Sequence, residues 1–205
     1  MINNILICPR CSPLSRSRPV REDPSRSSGD TPNTRAVEGL AVQLLYVSAM
    51  YAIDERDRVI LIDALPQPDV GAPIPVLVAD EDRVALAYVA RPTQPSHDES
   101  ITVAEFVRPC AHMFGPPNDE AFEGHPLAGR GLEPYGVFRI EDSSWLRGLE
   151  QMNSVHEHHS AEAFAQLAHY VFAFHDSTFE IIAADIDITI HPADSALTLS
   201  VQIAP

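Results

Sequence analysis

Seven of the nine histidines, His112, His125, His156, His158, His159, His169 and His175, fall in one stretch that also holds the only tryptophan, Trp145. Imidazoles serve near neutral pH as bases, proton shuttles and metal ligands, so the chemistry of this chain is expected between residues 112 and 180. Within that stretch His156-Glu157-His158-His159, with Glu162 beyond, offers the donor types of a divalent-metal site. The spacing departs from common zinc patterns. HExxH would need a histidine where Ser160 stands, and the metallo-β-lactamase pattern lacks its Asp. His156-x-His158 followed by Glu162 matches half of a cupin metal motif, but no glycine follows Gly148 to build the other half. The competing reading is a solvated polar linker between two short helices.

His175-Asp176-Ser177-Thr178 sets base, acid and hydroxyl side by side. Successive turn residues diverge, whereas a catalytic triad must converge at hydrogen-bond distance, so local turn chemistry is the simpler role for Asp176, Ser177 and Thr178. Asn118, Asp119, Glu120, Glu123 and His125 populate a long loop, and Arg130 and Arg139 have the guanidinium fork that grips carboxylates. A recess is expected to gather His125, Arg130, Trp145, Asn153, His169, His175 and Asp176, with His156, His158, His159 and Glu162 as the metal candidates. Cys8-Pro9-Arg10-Cys11 has the spacing of half a zinc site, which Cys110 and His112 could complete; coincidence in a polar leader explains it as well.

Composition removes whole classes of function. All 14 basic residues are Arg, and without Lys there is no Schiff base, no pyridoxal phosphate chemistry and no phosphate-cradling P-loop or kinase lysine. No GxGxxG fingerprint follows a strand, so a Rossmann dinucleotide is not expected. The formal charge is −15, and residues 1 to 40 carry six Arg against Glu22, Asp23, Asp30 and Glu38, leaving −17 on the rest. A body of that sign repels nucleic-acid backbones and anionic lipid. The partner classes that fit are a small molecule or a basic protein. No stretch approaches the roughly 20 apolar residues of a membrane helix, and the start lacks a secretory pattern. Three cysteines without disulfide spacing suit a reducing cytoplasm.

These residues need elements to position them. Residues 1–36 read as a flexible Ser/Arg/Pro-rich leader and 37–205 as one globular domain. Val42 to Ala49 reads as a strand. Met50 to Ile53 and Val59 to Ile62 flank acidic turn residues as a hairpin, and so do Val76 to Ala79 and Val84 to Ala90. Ile101 to Val107 reads as a strand, 108 to 134 as a Pro- and Gly-rich loop, and Val137 to Ile140 as a short strand. Asp142 or Ser143 caps a helix whose apolar face is Trp145, Leu146, Leu149 and Met152. Ser160 starts a second, turning Phe164 and Leu167 inward. The closing hairpin turns at Asp176-Ser177, with Phe174 opposite Phe179, Phe172 opposite Ile181 and His175 opposite Thr178, and His169 and His175 on one strand face. Ile182 to Ile190 prolongs its second strand, and Leu197 to Ile203 adds an edge. The fold class is α+β, a mainly antiparallel hairpin meander with two short helices packed on one face.

The segments Phe114-Gly-Pro-Pro-Asn-Asp-Glu120, Gly124-His-Pro-Leu127, Ser143-Ser-Trp-Leu146 and Phe174-His-Asp-Ser-Thr-Phe-Glu180 resemble a group of small bacterial proteins, over about residues 113–185. The resemblance implies no activity, cofactor or partner. Function is therefore expected from the residues alone: a binding or interaction module with a His-rich surface. Its rivals are a metal-dependent hydrolase centred on His125, His156, His158 and His159, and an acidic inhibitor or immunity-type protein that neutralises a basic partner.

Overall fold

The structure, a computed structural model, describes residues 6–7, 52–92 and 100–192. The strands are β1 (Leu6–Ile7), β2 (Arg58–Leu61), β3 (Val76–Ala79), β4 (Val84–Ala90), β5 (Ser100–Val107), β6 (Ala111–Gly115), β7 (Val137–Glu141), β8 (Ala168–Ala173), β9 (Thr178–Ala183) and β10 (Asp185–Pro192), and the α-helices are α1 (Ser144–Asn153) and α2 (Ala161–Phe164). Among the described residues they form two antiparallel sheets, of order β1-β6-β9-β8-β7-β2 and β10-β5-β4-β3. The expected α+β class with an antiparallel sheet is what the chain adopts. No described helix is long and apolar enough to cross a membrane.

Alternation along the strands builds the layers, because successive side chains point to opposite faces. Leu86, Tyr88, Ala104 and Phe106 of the smaller sheet pack on Val137, Tyr170, Phe172, Phe179 and Ile181 of the larger one. The other face of the larger sheet is covered twice. Phe122, Leu127 and Leu132 lie on Phe138, Ile140, Val171 and Ala173, and Trp145, Leu149, Phe164 and Leu167 lie on Ala111 and Ile182. Both helices thus sit on one face, as the periodicity predicts. Met152 does not share in this burial; it is 49% exposed at the end of α1.

Local chemistry sets the boundaries of α1. Ser143 is its N-cap, accepting the Leu146 N–H, and the preceding Asp142 turns the chain sharply at φ 51°. Buried Asp57 accepts the Ser144 N–H at 2.7 Å and the Asp54 N–H at 2.8 Å, tying the turn before β2 to the start of the helix. Asp57→Ala is expected to destabilise the protein by about 1–3 kcal/mol, the range for losing a cap and charge-assisted hydrogen bonds. Urea denaturation checks this, and a loss below about 0.5 kcal/mol would sink the role.

Several expected elements differ. β2 pairs with the distant β7, Arg58 opposite Glu141, and the described residues 52–54 of the expected hairpin form no strand beside it, because its apolar alternation fits the sheet as well as a neighbouring strand would. The long loop contains β6, paired with β9, which prolines on both sides conceal. The closing hairpin pairs Phe172 with Phe179 and Ala173 with Thr178, two residues from the expected register, and His175 lies in its turn beyond β8. A two-residue shift keeps every side chain on its face, so the aromatic core survives it. The strand after Phe179 breaks at Ala184, and β10 crosses to the other sheet to pair with β5. Within the expected leader Leu6–Ile7 form β1, paired with β6; Cys8 and Cys11, the strand expected at Val42–Ala49 and the edge at Leu197–Ile203 lie outside the described residues.

Candidate functional site

A polar chain runs through the apolar interface between the larger sheet and its outer layer. Glu180 stands on β9 between Met113 of β6 and Val171 of β8. His169 of β8 places Nε2 at 3.0 Å from Glu180 Oε2; His125, from the loop after β6, places Nε2 at 3.2 Å from Oε1. The protons can be assigned from the partners. A backbone N–H can only donate, and that of Leu127 points to His125 Nδ1 at 3.1 Å, so the His125 proton is on Nε2 and goes to the carboxylate. His169 Nδ1 lies 2.9 Å from Ser143 Oγ, which itself accepts the Leu146 N–H at 3.2 Å.

The environment is dry, the side chains of His125, His169 and Glu180 being 1%, 1% and 9% exposed. Burial is the largest influence on Glu180 and pushes its carboxyl up. The hydrogen bonds of His125 and His169 outweigh it, and hold the group well below the usual carboxylate range. Phe122 stacks on the His125 ring at 5.7 Å and the Trp145 edge meets the His169 ring at 5.0 Å. These contacts lock both rotamers.

A second constellation lies at the hairpin turn. Tyr135, held at φ 62°, brings its hydroxyl to 2.5 Å from Asp119 Oδ2 and 2.8 Å from His175 Nδ1, and His175 Nδ1 is 2.9 Å from the same carboxylate oxygen. The Asp119 hydrogen bond, followed by burial, raises the Tyr135 phenol to about 12. The Tyr135 hydroxyl, ahead of His175, lowers Asp119. The acid that partners His175 is thus Asp119, brought from far along the chain, and not the adjacent Asp176.

The His156–His159 run is a half-exposed turn that satisfies itself. His156 Nδ1 accepts the His158 N–H at 3.1 Å, His159 Nδ1 meets Asn153 Oδ1 at 3.0 Å, and Ser160 donates to Glu162 at 3.0 Å. Among the described residues no three His, Cys, Asp or Glu side chains are grouped as a metal site. The expected single recess therefore divides. His125, His169 and Trp145 meet through Glu180; His175 joins Asp119; Asn153 joins His159; Arg130 sits exposed on the one-turn helix Ala128–Arg130. His112 is buried against Phe179 at 6.2 Å, where burial lowers its basicity, and Cys110 packs with Trp145 and Ile182.

Glu180, Ser143 and Tyr135 went unnoticed in the sequence as site residues. Glu180 carried a signal, because an acid amid Phe179, Ile181 and Ile182 on an otherwise apolar strand demands buried donors. Tyr135 carried none.

One concavity opens beside this chain. A cavity of about 570 Å³ lies between β7 and the two helices, its wall including Arg58, Arg139, Ser143, Leu146, Arg147 and Phe164. Two of its guanidiniums are engaged. Arg58 meets Glu141 at 2.8 Å, and Arg147 meets Asp54 at 2.6 Å and the Asp142 carbonyl. Arg139 forms no ion pair with any described carboxylate. Comparison with known proteins returned no matching family model, curated protein or solved structure.

Proposed function

We propose that this protein is a binding module for a small anionic ligand, held in the cavity between β7 and the helices with Arg139 as its counter-charge. The observation that carries the reading is Arg139 itself. In a chain with 29 acids against 14 bases, exposed Arg139 makes no ion pair among the described residues although Glu141, Asp142 and Glu150 line the same wall. Leu146, Phe164 and Ala168 supply apolar wall, and the volume falls in the range of about 300–1,000 Å³ typical of small-molecule sites. The start of α1, which forms part of the wall, is tied to the sheet by the Ser143–His169 hydrogen bond, so the site is set before a ligand arrives.

Thermal unfolding with a panel of mono- and dicarboxylates and inorganic phosphate tests this. A ligand present at 100 times its Kd is expected to stabilise by about 2.7 kcal/mol, a rise in Tm of several degrees. Arg139→Gln should abolish the rise. A panel without effect, or an Arg139→Gln protein that responds like the original, would overturn the reading.

A further inference from the structure

Ser143 belongs to the cavity wall and to the buried chain of hydrogen bonds, and this double membership has a chemical meaning. Its Oγ is 2.9 Å from His169 Nδ1, and His169 Nε2 is 3.0 Å from Glu180 Oε2. Hydroxyl, imidazole and carboxylate stand in line, in the order that activates a serine. With His125 and His169 both donating to Glu180, the His169 proton is fixed on Nε2 and its Nδ1 lone pair is aimed at Ser143. The sharp turn at Asp142, φ 51°, delivers Ser143 from the end of β7 to the first turn of α1, so the positive end of that helix lies behind the oxygen.

We propose that Ser143 is an acyl-accepting nucleophile, with His169 as its general base and Glu180 as the positioning residue, acting on esters whose acyl part carries a second carboxylate for Arg139. The inference rests on the anion-binding reading, since the substrate must occupy the same cavity. In the first step Oγ bonds to the ester carbonyl carbon while its proton passes to His169 Nδ1. The carbon–oxygen bond to the alcohol then breaks, and the alcohol leaves with that proton. Water, deprotonated by the same imidazole, attacks the acyl-serine; the carboxylic acid departs and the proton returns to Oγ. No metal, oxidant or further reactant is needed. Glu180 stays ionised throughout, stabilising the imidazolium of each step.

The test uses the intact chain and two substrates of equal length, the mono(4-nitrophenyl) ester of adipic acid and 4-nitrophenyl hexanoate, which differ in the carboxylate. Incubation with a fluorophosphonate and peptide mass spectrometry should place the adduct on Ser143. Ser143→Asn, which keeps a capping side chain, should lose on the order of 10⁶-fold in kcat on the adipate ester, the loss typical of an absent triad nucleophile. Glu180→Gln should lower kcat with KM little changed. Arg139→Gln should cost about 10²-fold on the adipate ester and little on the hexanoate. An adduct on another residue, no adduct, or full activity in Ser143→Asn would overturn the proposal. The labelling is read on the unaltered protein, so misfolding of a variant does not shelter it. Arg139-dependent stabilisation by carboxylates without a Ser143 adduct ends the acyl-transfer inference and leaves the binding reading standing. An adduct on Ser143 without Arg139 dependence removes the anionic substrate class and with it the proposal as stated.

Discussion

Glu180→Ala is expected to cost about 2–5 kcal/mol of folding stability, the range for leaving two buried donors without their acceptor. The reason is that the carboxylate satisfies two donors from different parts of the chain. His125 arrives from the loop after β6 and His169 from β8, both essentially without solvent contact. Removal strands two imidazole N–H groups between apolar patches, where each lost partner is expensive. Glu180→Gln should cost less, about 1–3 kcal/mol, because its carbonyl oxygen still accepts one N–H while its amide faces the other donor. The pH dependence sharpens the test. Glu180 is held below its ordinary value of 4.5, down to about 2. On acidification the unfolded chain therefore takes up this proton before the folded one does. The stability it confers is complete above the unfolded value and is lost as the pH falls through that window. Urea midpoints between pH 5 and 2 should fall for the original protein and be flatter for Glu180→Gln. Equal slopes in the two would refute the assignment of a charged, doubly bonded Glu180.

What the sequence revealed of this fold was what local chemistry decides. Turn residues Asp80 to Arg83 set between two apolar runs gave the β3–β4 hairpin, and the alternatives Asp142 or Ser143, of which Ser143 is the cap, together with Ser160 gave both helix starts, because caps act over three or four residues. Alternation assigned Phe172, Phe174, Phe179 and Ile181 to one face correctly even though the register was two residues away. Period-2 patterning fixes faces, and only the turn geometry fixes partners. β2 and β6 were misjudged for a related reason. Their partners β7 and β9 lie far along the chain, and nothing within a short strand names a distant mate. The site obeyed the same division. His156, His158 and His159 drew notice because they are adjacent, yet the turn that joins them satisfies them locally, the His156 and His158 rings lying 5.8 Å apart while His159 turns to Asn153. The constellations with chemical geometry join residues that sequence separates: Ser143 to His169 to Glu180, and Asp119 to Tyr135 to His175. Buried charge demands compensation wherever the fold can bring it, so an acid inside an apolar strand was the better pointer.

Phe172→Ala is the second change expected to be severe, at about 3–5 kcal/mol, the range for truncating a buried aromatic. Phe172 is fully buried on β8 and touches rings from both sheets: Tyr88 at 6.0 Å and Phe106 at 5.8 Å across the sandwich, Phe179 at 6.0 Å beside it. Edge-on and tilted geometries of this kind add to the area they bury. The void left by alanine would be walled by side chains anchored in two sheets, which cannot collapse together to fill it. Phe114→Ala is the matched control, since Phe114 is 38% exposed and among the described rings meets Phe179, at 6.1 Å; its cost should be about a third as large or less. The comparison also bears on the site, because β8 carries Phe172 on its inner face and His169 on its outer one. If inner packing positions the outer imidazole, Phe172→Leu should retain binding and Phe172→Ala should weaken carboxylate-induced stabilisation in proportion to the loss of fold. Chemical denaturation of the three variants measures the first effect and thermal shift the second. A cost for Phe172→Ala below about 1 kcal/mol would mean that the two sheets are not held together through this ring.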